Sequence, residues 1–166
     1  MQRPLRFATI DLERHLADCL AARRDTYIAS FGSEAGWAAE YGSESDYPAW
    51  LAARIAALPQ ACVHVWDGDR IIGQLEGRLR PGSDIATIHL VYLVPAYRGT
   101  GAAAWLIDYL IKVFEPLGVA RLQLSVAPGN ARAIAFYHKH GWALCAQSGK
   151  DPRVRLMERL LPATLH

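Results

Sequence analysis

Val94-Pro95-Ala96-Tyr97-Arg98-Gly99-Thr100-Gly101-Ala102-Ala103 joins a β-branched run to a long apolar one. The run before it, Ile85 to Val94, reads as a strand that ends at Pro95, which has no ladder donor to offer. The run after it, Gly101 to about Leu117, reads as a helix capped by Gly118. A strand that passes through glycines into a helix offers unpaired amides and the positive end of a helix dipole, and both favour a bound anion. Glycine and alanine also remove the Cβ bulk that would hold a pyrophosphate away from those amides. The alternative is a tight turn that merely needs glycine.

Toward the N-terminus, Leu5 to Ala8 reads as a short strand, and Asp11 as the N-cap of a helix from Leu12 to about Ser30. Gly32 to Ser45 reads as loop or broken helix, and a second helix runs from Tyr47 to Ala57, before Pro59. Ala61 to Trp66 and Ile71 to Leu79 read as antiparallel strands around the turn Asp67-Gly68-Asp69. Past the loop, Leu122 to Val126 reads as a strand and Asn130 to His140 as a helix stopped at Gly141. Final strands are expected near Trp142 to Gln147 and Val154 to Leu160. The order predicts an α/β (α+β) fold: a mixed, mostly antiparallel sheet of six to seven strands flanked by about four helices. Without repeat or linker, residues 1–166 are expected to form one domain.

A net charge of +2 and a 52% hydrophobic composition give no electrostatic case for nucleic acid or an anionic membrane. Cys19, Cys62 and Cys145 form no C-x-x-C pair, each lies in an apolar stretch, and their odd number argues against a disulfide framework. Met1 to Arg6 lacks a secretory apolar region, and no run approaches the roughly 20 apolar residues of a membrane span. A soluble cytoplasmic protein is the expectation.

Two phosphate motifs fail on inspection. A Walker loop needs a lysine after its last glycine, and none is present. Gly99-x-Gly101-x-x-Ala104 does fit the dinucleotide fingerprint, but nothing acidic ends the next strand, Leu122 to Val126, and one further helix is too little for a doubly wound sheet. Arg98-x-x-Gly101-x-Ala103 instead matches the Q/R-x-x-G-x-G/A signature of the GNAT N-acetyltransferase superfamily. Downstream, Leu124-Ser125-Val126, Asn130, Ala133, Phe136-Tyr137 and Gly141-Trp142 resemble its second conserved block. The resemblance covers Ile71 to about Leu161. Thr100 stands where the family often has lysine or arginine, and Ala102 where it often has isoleucine or leucine.

This resemblance implies transfer of an acetyl group from acetyl-CoA directly to a primary amine, without a metal. It implies a cofactor site at Leu93, Val94, Arg98, Gly99, Thr100, Gly101, Ala102, Ala103, Asn130 and Tyr137. The backbone at Leu93-Val94 would hold pantetheine and the oxyanion, at the point where strands four and five of the family splay apart. Tyr137 matches the tyrosine that commonly protonates the departing thiolate. It lies seven positions, about two helical turns, after Asn130, so both share a helix face with Ala133 between them. A phenol of pKa near 10 can serve a thiol of pKa near 8.5 because the proton is needed only in the transition state. A core aromatic beside Phe136 is the other reading of Tyr137.

For the base, His89 matches a histidine of the arylalkylamine acetyltransferases, and strand alternation puts it on one face with Val91 and Leu93. Glu76 and a water chain stay open. His138 and His140 lack metal-ligand partners at suitable spacing, and Ser125 has no acid–histidine relay beside it. The first two helices wall the acceptor pocket in the superfamily. Here they carry Tyr27, Phe31, Trp37, Tyr41, Tyr47 and Trp50 among Glu34, Glu40, Glu44 and Asp46. Phe31, Trp37 and Glu76 are the candidate acceptor contacts, and aromatic walls with carboxylates would suit a cationic amine. Ordinary helix packing with a solvated acidic loop is the alternative. A small-molecule amine is expected before a protein one, and the superfamily's frequent dimers admit a homodimer. A non-catalytic acyl-CoA sensor on the same scaffold is the rival reading.

Overall fold

A computed structural model of the chain describes residues 4–38, 46–145 and 151–162. Strand β1 (Arg6–Thr9) leads to α1 (Leu12–Phe31), whose N-cap Asp11 accepts from the Arg14 amide at 3.3 Å. Then come α2 (Tyr47–Ala57), β2 (Cys62–Asp67), β3 (Arg70–Leu79) and β4 (Ile85–Leu93). The C-terminal half holds α3 (Ala102–Phe114), β5 (Arg121–Val126), α4 (Ala131–Lys139), β6 (Ala143–Leu144) and β7 (Arg155–Leu160). α3 ends at Phe114 because Pro116 forces the next turn into a 3-10 helix (Glu115–Leu117), after which Gly118 takes the left-handed conformation, φ 78°.

The seven strands form one sheet in the order β1-β2-β3-β4-β5-β7-β6, and only β4 and β5 are parallel neighbours. This is the mixed, mostly antiparallel sheet with four helices that the sequence predicts. Alternation sorts the strands between two layers. Leu75, Ala86 and Ile88 face α3 and α4, packing with Leu106, Leu110 and Phe114, and Ile72 joins them as the extra residue where the β2–β3 register shifts. Cys62 faces the other way, with Ile10, Cys19, Tyr47 and Leu51 under α1 and α2. Of the strand expected near Trp142 to Gln147, Ala143–Leu144 form β6, while Ala146 and Gln147 lie outside the described residues. Trp142 is instead buried against Tyr137, ring centroids 5.5 Å apart. All three cysteines are free thiols; Cys19 and Cys62 are buried and Cys145 is half-buried. No described helix is long and apolar enough to cross a membrane.

Candidate active site

β4 and β5 pair only from Ile85–Arg121 to Ile88–Leu124. Beyond that point β4 stays with β3 as far as Leu93, and β5 stays with β7 as far as Val126, so the two parallel strands part. Two cavities occupy the wedge. The outer, about 250 Å³, is bordered by β4 (Val91, Leu93), the loop (Arg98, Gly99), α3 (Ala103) and α4 (Asn130, Arg132, Ala133, Tyr137). The inner, about 110 Å³, is bordered by His89 and Val91 on β4, Ser125 on β5, and Asn130 and Tyr137. Thr26 of α1 lines both.

The loop is built as the glycines require. Gly99 and Gly101 sit at φ 75° and 89°, a region that side-chain-bearing residues rarely enter. Gly101 is the N-cap of α3 with no side-chain cap of its own, and a Cβ placed there would meet nothing within 4 Å, so the start of the helix borders open space. Thr100 Oγ1 stands 3.4 Å from the Ala102 amide. Arg98 turns inward: its Nε donates to the Leu93 carbonyl at 2.9 Å, and its guanidinium lies 3.6 Å from Asp25 of α1. Arg132 is a cation that sequence reasoning missed. It lines the outer cavity, and its guanidinium would lie 3.8 Å from a Cβ placed at Gly99. The signal was a basic residue two positions past Asn130.

The backbone at the end of β4 divides differently from expectation. Val94 donates its amide to Ile72 of β3 at 2.8 Å, so it is committed to the sheet. By antiparallel parity the amides of Leu93 and Val91 point away from β3, into the wedge. Val91 was not singled out from sequence.

Tyr137 lines both cavities. It is only 9% exposed, and burial alone raises its phenol pKa. The hydroxyl therefore stays protonated at neutral pH. Asn130 also borders both cavities while its Oδ1 caps α4 through the Ala133 amide at 3.2 Å. His89 borders the inner cavity, and its Nε2 is buried without a hydrogen-bond partner. One expectation about His89 is corrected. The register slips by one residue between Glu76–Leu90 and Gly77–Ile88, which makes His89 the extra residue of a β-bulge. It meets Trp50 of α2 edge-on at 4.9 Å, whereas Val91 and Leu93 pack with the α3–α4 core.

Burial, with Arg23, Arg78 and Arg54 nearby, pushes the His89 pKa from 6.5 down to about 4. A folded pKa below the unfolded one gives stability that is complete above pH 6.5 and lost as pH falls toward 4. Urea unfolding at pH 7.5 and about 4.5 should therefore show the wild type losing on the order of 2 kcal/mol more than His89→Gln. His64, whose pKa is lowered chiefly by burial, contributes with the same sign in both proteins.

The family model described as the acetyltransferase (GNAT) family matches residues 18–142. The chain belongs to this family. An uncharacterized N-acetyltransferase of Prochlorococcus marinus is 34% identical over 85 residues, which cover 49% of this chain and 46% of that protein. One from Mycobacterium tuberculosis is 41% identical over 54 residues, covering 32% of this chain and 35% of that protein. The chain thus spans less than half the length of these curated relatives. The PaiA N-acetyltransferase of Thermoplasma acidophilum, solved with coenzyme A, shares the fold at a TM-score of 0.78. The two are 18% identical, with 95% of this chain and 99% of that one covered. The ribosomal-protein-alanine N-acetyltransferase of Brucella melitensis gives 0.68 at 21% identity, covering 96% and 100%.

The GNAT chain places its other candidates apart from the wedge. Glu76 is fully buried and borders neither cavity. Its carboxylate pairs with Arg23 of α1 and accepts from the Tyr47 hydroxyl at 2.7 Å and the Gln74 amide at 2.6 Å. Phe31 and Trp37 ring Tyr27 at 4.8 Å and 5.8 Å and border neither cavity. Glu34 pairs with Arg24. Tyr41, Glu40 and Glu44 lie outside the described residues.

Proposed function

We propose that this GNAT chain is an N-acetyltransferase that carries an acetyl group from acetyl-CoA to the primary amine of a small molecule. The observation that carries the reading is the Tyr137 side chain, only 9% exposed and lining both cavities where β4 and β5 part. The amides from Gly99 to Ala103 would hold the diphosphate, and the outer cavity would take the pantetheine arm. Arg132 supplies beside the loop the positive charge that Thr100 lacks. The inner cavity, about 110 Å³, suits the aminoalkyl end of an acceptor.

In this reading the free amine attacks the thioester carbonyl, a C–N bond forms and the C–S bond breaks. Amides of Leu93 and Val91 stabilise the oxyanion, and Tyr137 gives its proton to the sulfur. A pKa of about 4 makes His89 a poor acceptor for the proton that the amine sheds, so that proton leaves to water. The free thiols suit a reducing, cytoplasmic setting.

Acetyl-CoA with a panel of amines, followed by thiol release, tests the reaction. Saturable binding of acetyl-CoA without thiol release from any amine would overturn it and leave a non-catalytic sensor. Arg132→Ala should weaken coenzyme A binding about tenfold by calorimetry, the size of one charge-assisted hydrogen bond, with Tm unchanged. An unchanged affinity would remove Arg132 from the site.

A further inference from the structure

The Leu93 carbonyl sits beside the amide that would meet the thioester oxygen. A strand residue turns its N–H and C=O to the same side, so this carbonyl, like the amide, points away from β3 into the wedge. Left bare, it would set a negative dipole next to the oxygen on which charge develops during transfer. It is occupied instead, by Arg98 Nε, which donates to it at 2.9 Å.

Arg98 is itself held by α1 and β4. Its guanidinium lies 3.6 Å from the Asp25 carboxylate and 5.8 Å from the centre of the Tyr92 ring. The Tyr92 hydroxyl donates to the same Asp25 oxygen at 2.6 Å. Burial and the Asp25 carboxylate raise the Tyr92 phenol pKa, so it stays a donor. Arg98 pairs with no other carboxylate among the described residues. Tyr92, Leu93 and Arg98 line the outer cavity, and Thr26, the neighbour of Asp25 on α1, lines both. Arg98 also adjoins Gly99, where the loop for the diphosphate begins. A diphosphate attracts a guanidinium more strongly than a peptide carbonyl does. A second anchor is needed to keep Arg98 on Leu93, and Asp25 supplies it.

We propose that Asp25 is a positioning residue for acetyl transfer: with Tyr92 it keeps Arg98 on the Leu93 carbonyl, so that Leu93 offers only its amide to the thioester. This rests on the N-acetyltransferase reading and changes the part of Arg98 within it, from a phosphate ligand to a support of the oxyanion site. At 43% exposure, the Asp25 side chain can become asparagine without leaving a buried charge unpaired.

The test uses acetyl-CoA isotope-labelled at the thioester carbonyl, bound to the wild type, Asp25→Asn, Tyr92→Phe and Arg98→Lys, and read by difference infrared spectroscopy. A hydrogen bond to the thioester oxygen lowers its stretching frequency. This downshift should shrink by about half in Asp25→Asn and Arg98→Lys and by less in Tyr92→Phe, while coenzyme A affinity stays within about threefold. With an amine that is turned over, kcat should fall about tenfold at unchanged acceptor KM, less than the loss of an oxyanion donor itself. Lysine keeps the charge but has one head for two partners, so Arg98→Lys should match Asp25→Asn, and the two combined should add nothing. No downshift in the wild type, a full downshift in Asp25→Asn, full kcat in Arg98→Lys, or losses that add would each overturn the proposal. A lower Tm or a higher acceptor KM with the downshift intact would also overturn it, leaving Asp25 a tether of α1. An Asp25-dependent downshift without thiol release from any amine keeps the positioning role and sinks the transferase. Thiol release with a downshift indifferent to Asp25 does the reverse.

Discussion

Tyr137→Phe should lower kcat about 100-fold or more while coenzyme A affinity stays within about threefold. The split follows from where the hydroxyl sits. The phenol makes no hydrogen bond among the described residues, so none is lost with it, and the ring keeps its contacts with Phe136 and Trp142. The phenol is therefore dispensable for folding, and Tm should be unchanged. What the variant lacks is a proton for the sulfur as the C–S bond breaks. A thiolate leaving into a desolvated wedge without an acid loses the stabilisation that general acid catalysis supplies. Steady-state thiol release with calorimetry separates the two effects. Unchanged turnover removes Tyr137 as the acid, and lost coenzyme A binding with kcat retained makes it a positioning residue for the pantetheine arm.

The features legible in the sequence were those with a local cause. Gly99 and Gly101 need left-handed backbone, and Asp11 caps the helix that follows it, so short windows hold the information. Features set by long-range register were hidden. The bulge at His89 exists only because Ile88 and Leu90 pair with consecutive residues of β3, and no window around His89 records what β3 does. The same limit hid the commitment of Val94 to Ile72 and the resulting exposure of the Val91 amide to the wedge. Thr26 borders both cavities from a helix that the sequence could place only as a wall, because its facing depends on how α1 lies across β4. Glu76 shows the converse. A mid-strand carboxylate in a chain of this family reads as a base, but burial among Arg23, Tyr47 and Gln74 gives it a different set of partners.

Those partners set the second large effect: Glu76→Ala should destabilise the fold by about 3–5 kcal/mol. The carboxylate is fully buried, and the side chain of Arg23 is only 12% exposed. Truncation takes the carboxylate from a half-dehydrated guanidinium, a strong acceptor from the Tyr47 hydroxyl and another from the Gln74 amide, while nothing refills the space. Because Arg23 belongs to α1 and Tyr47 to α2, the loss also loosens both helices over β3. The burial-raised pKa of the Tyr47 hydroxyl, pushed further by the Glu76 charge, keeps it a donor and gives the carboxylate no relief by proton exchange. Glu76→Gln retains size and one acceptor, so its cost should be smaller, and folded protein should be recoverable for kinetics. Urea unfolding of both variants measures the scaffold role. Thiol release by folded Glu76→Gln then tests the catalytic one. If that variant keeps wild-type stability and loses turnover by two orders of magnitude, Glu76 works on the amine. If turnover falls only in proportion to the folded fraction, its work is to fix α1 and α2 over the acceptor side of the sheet.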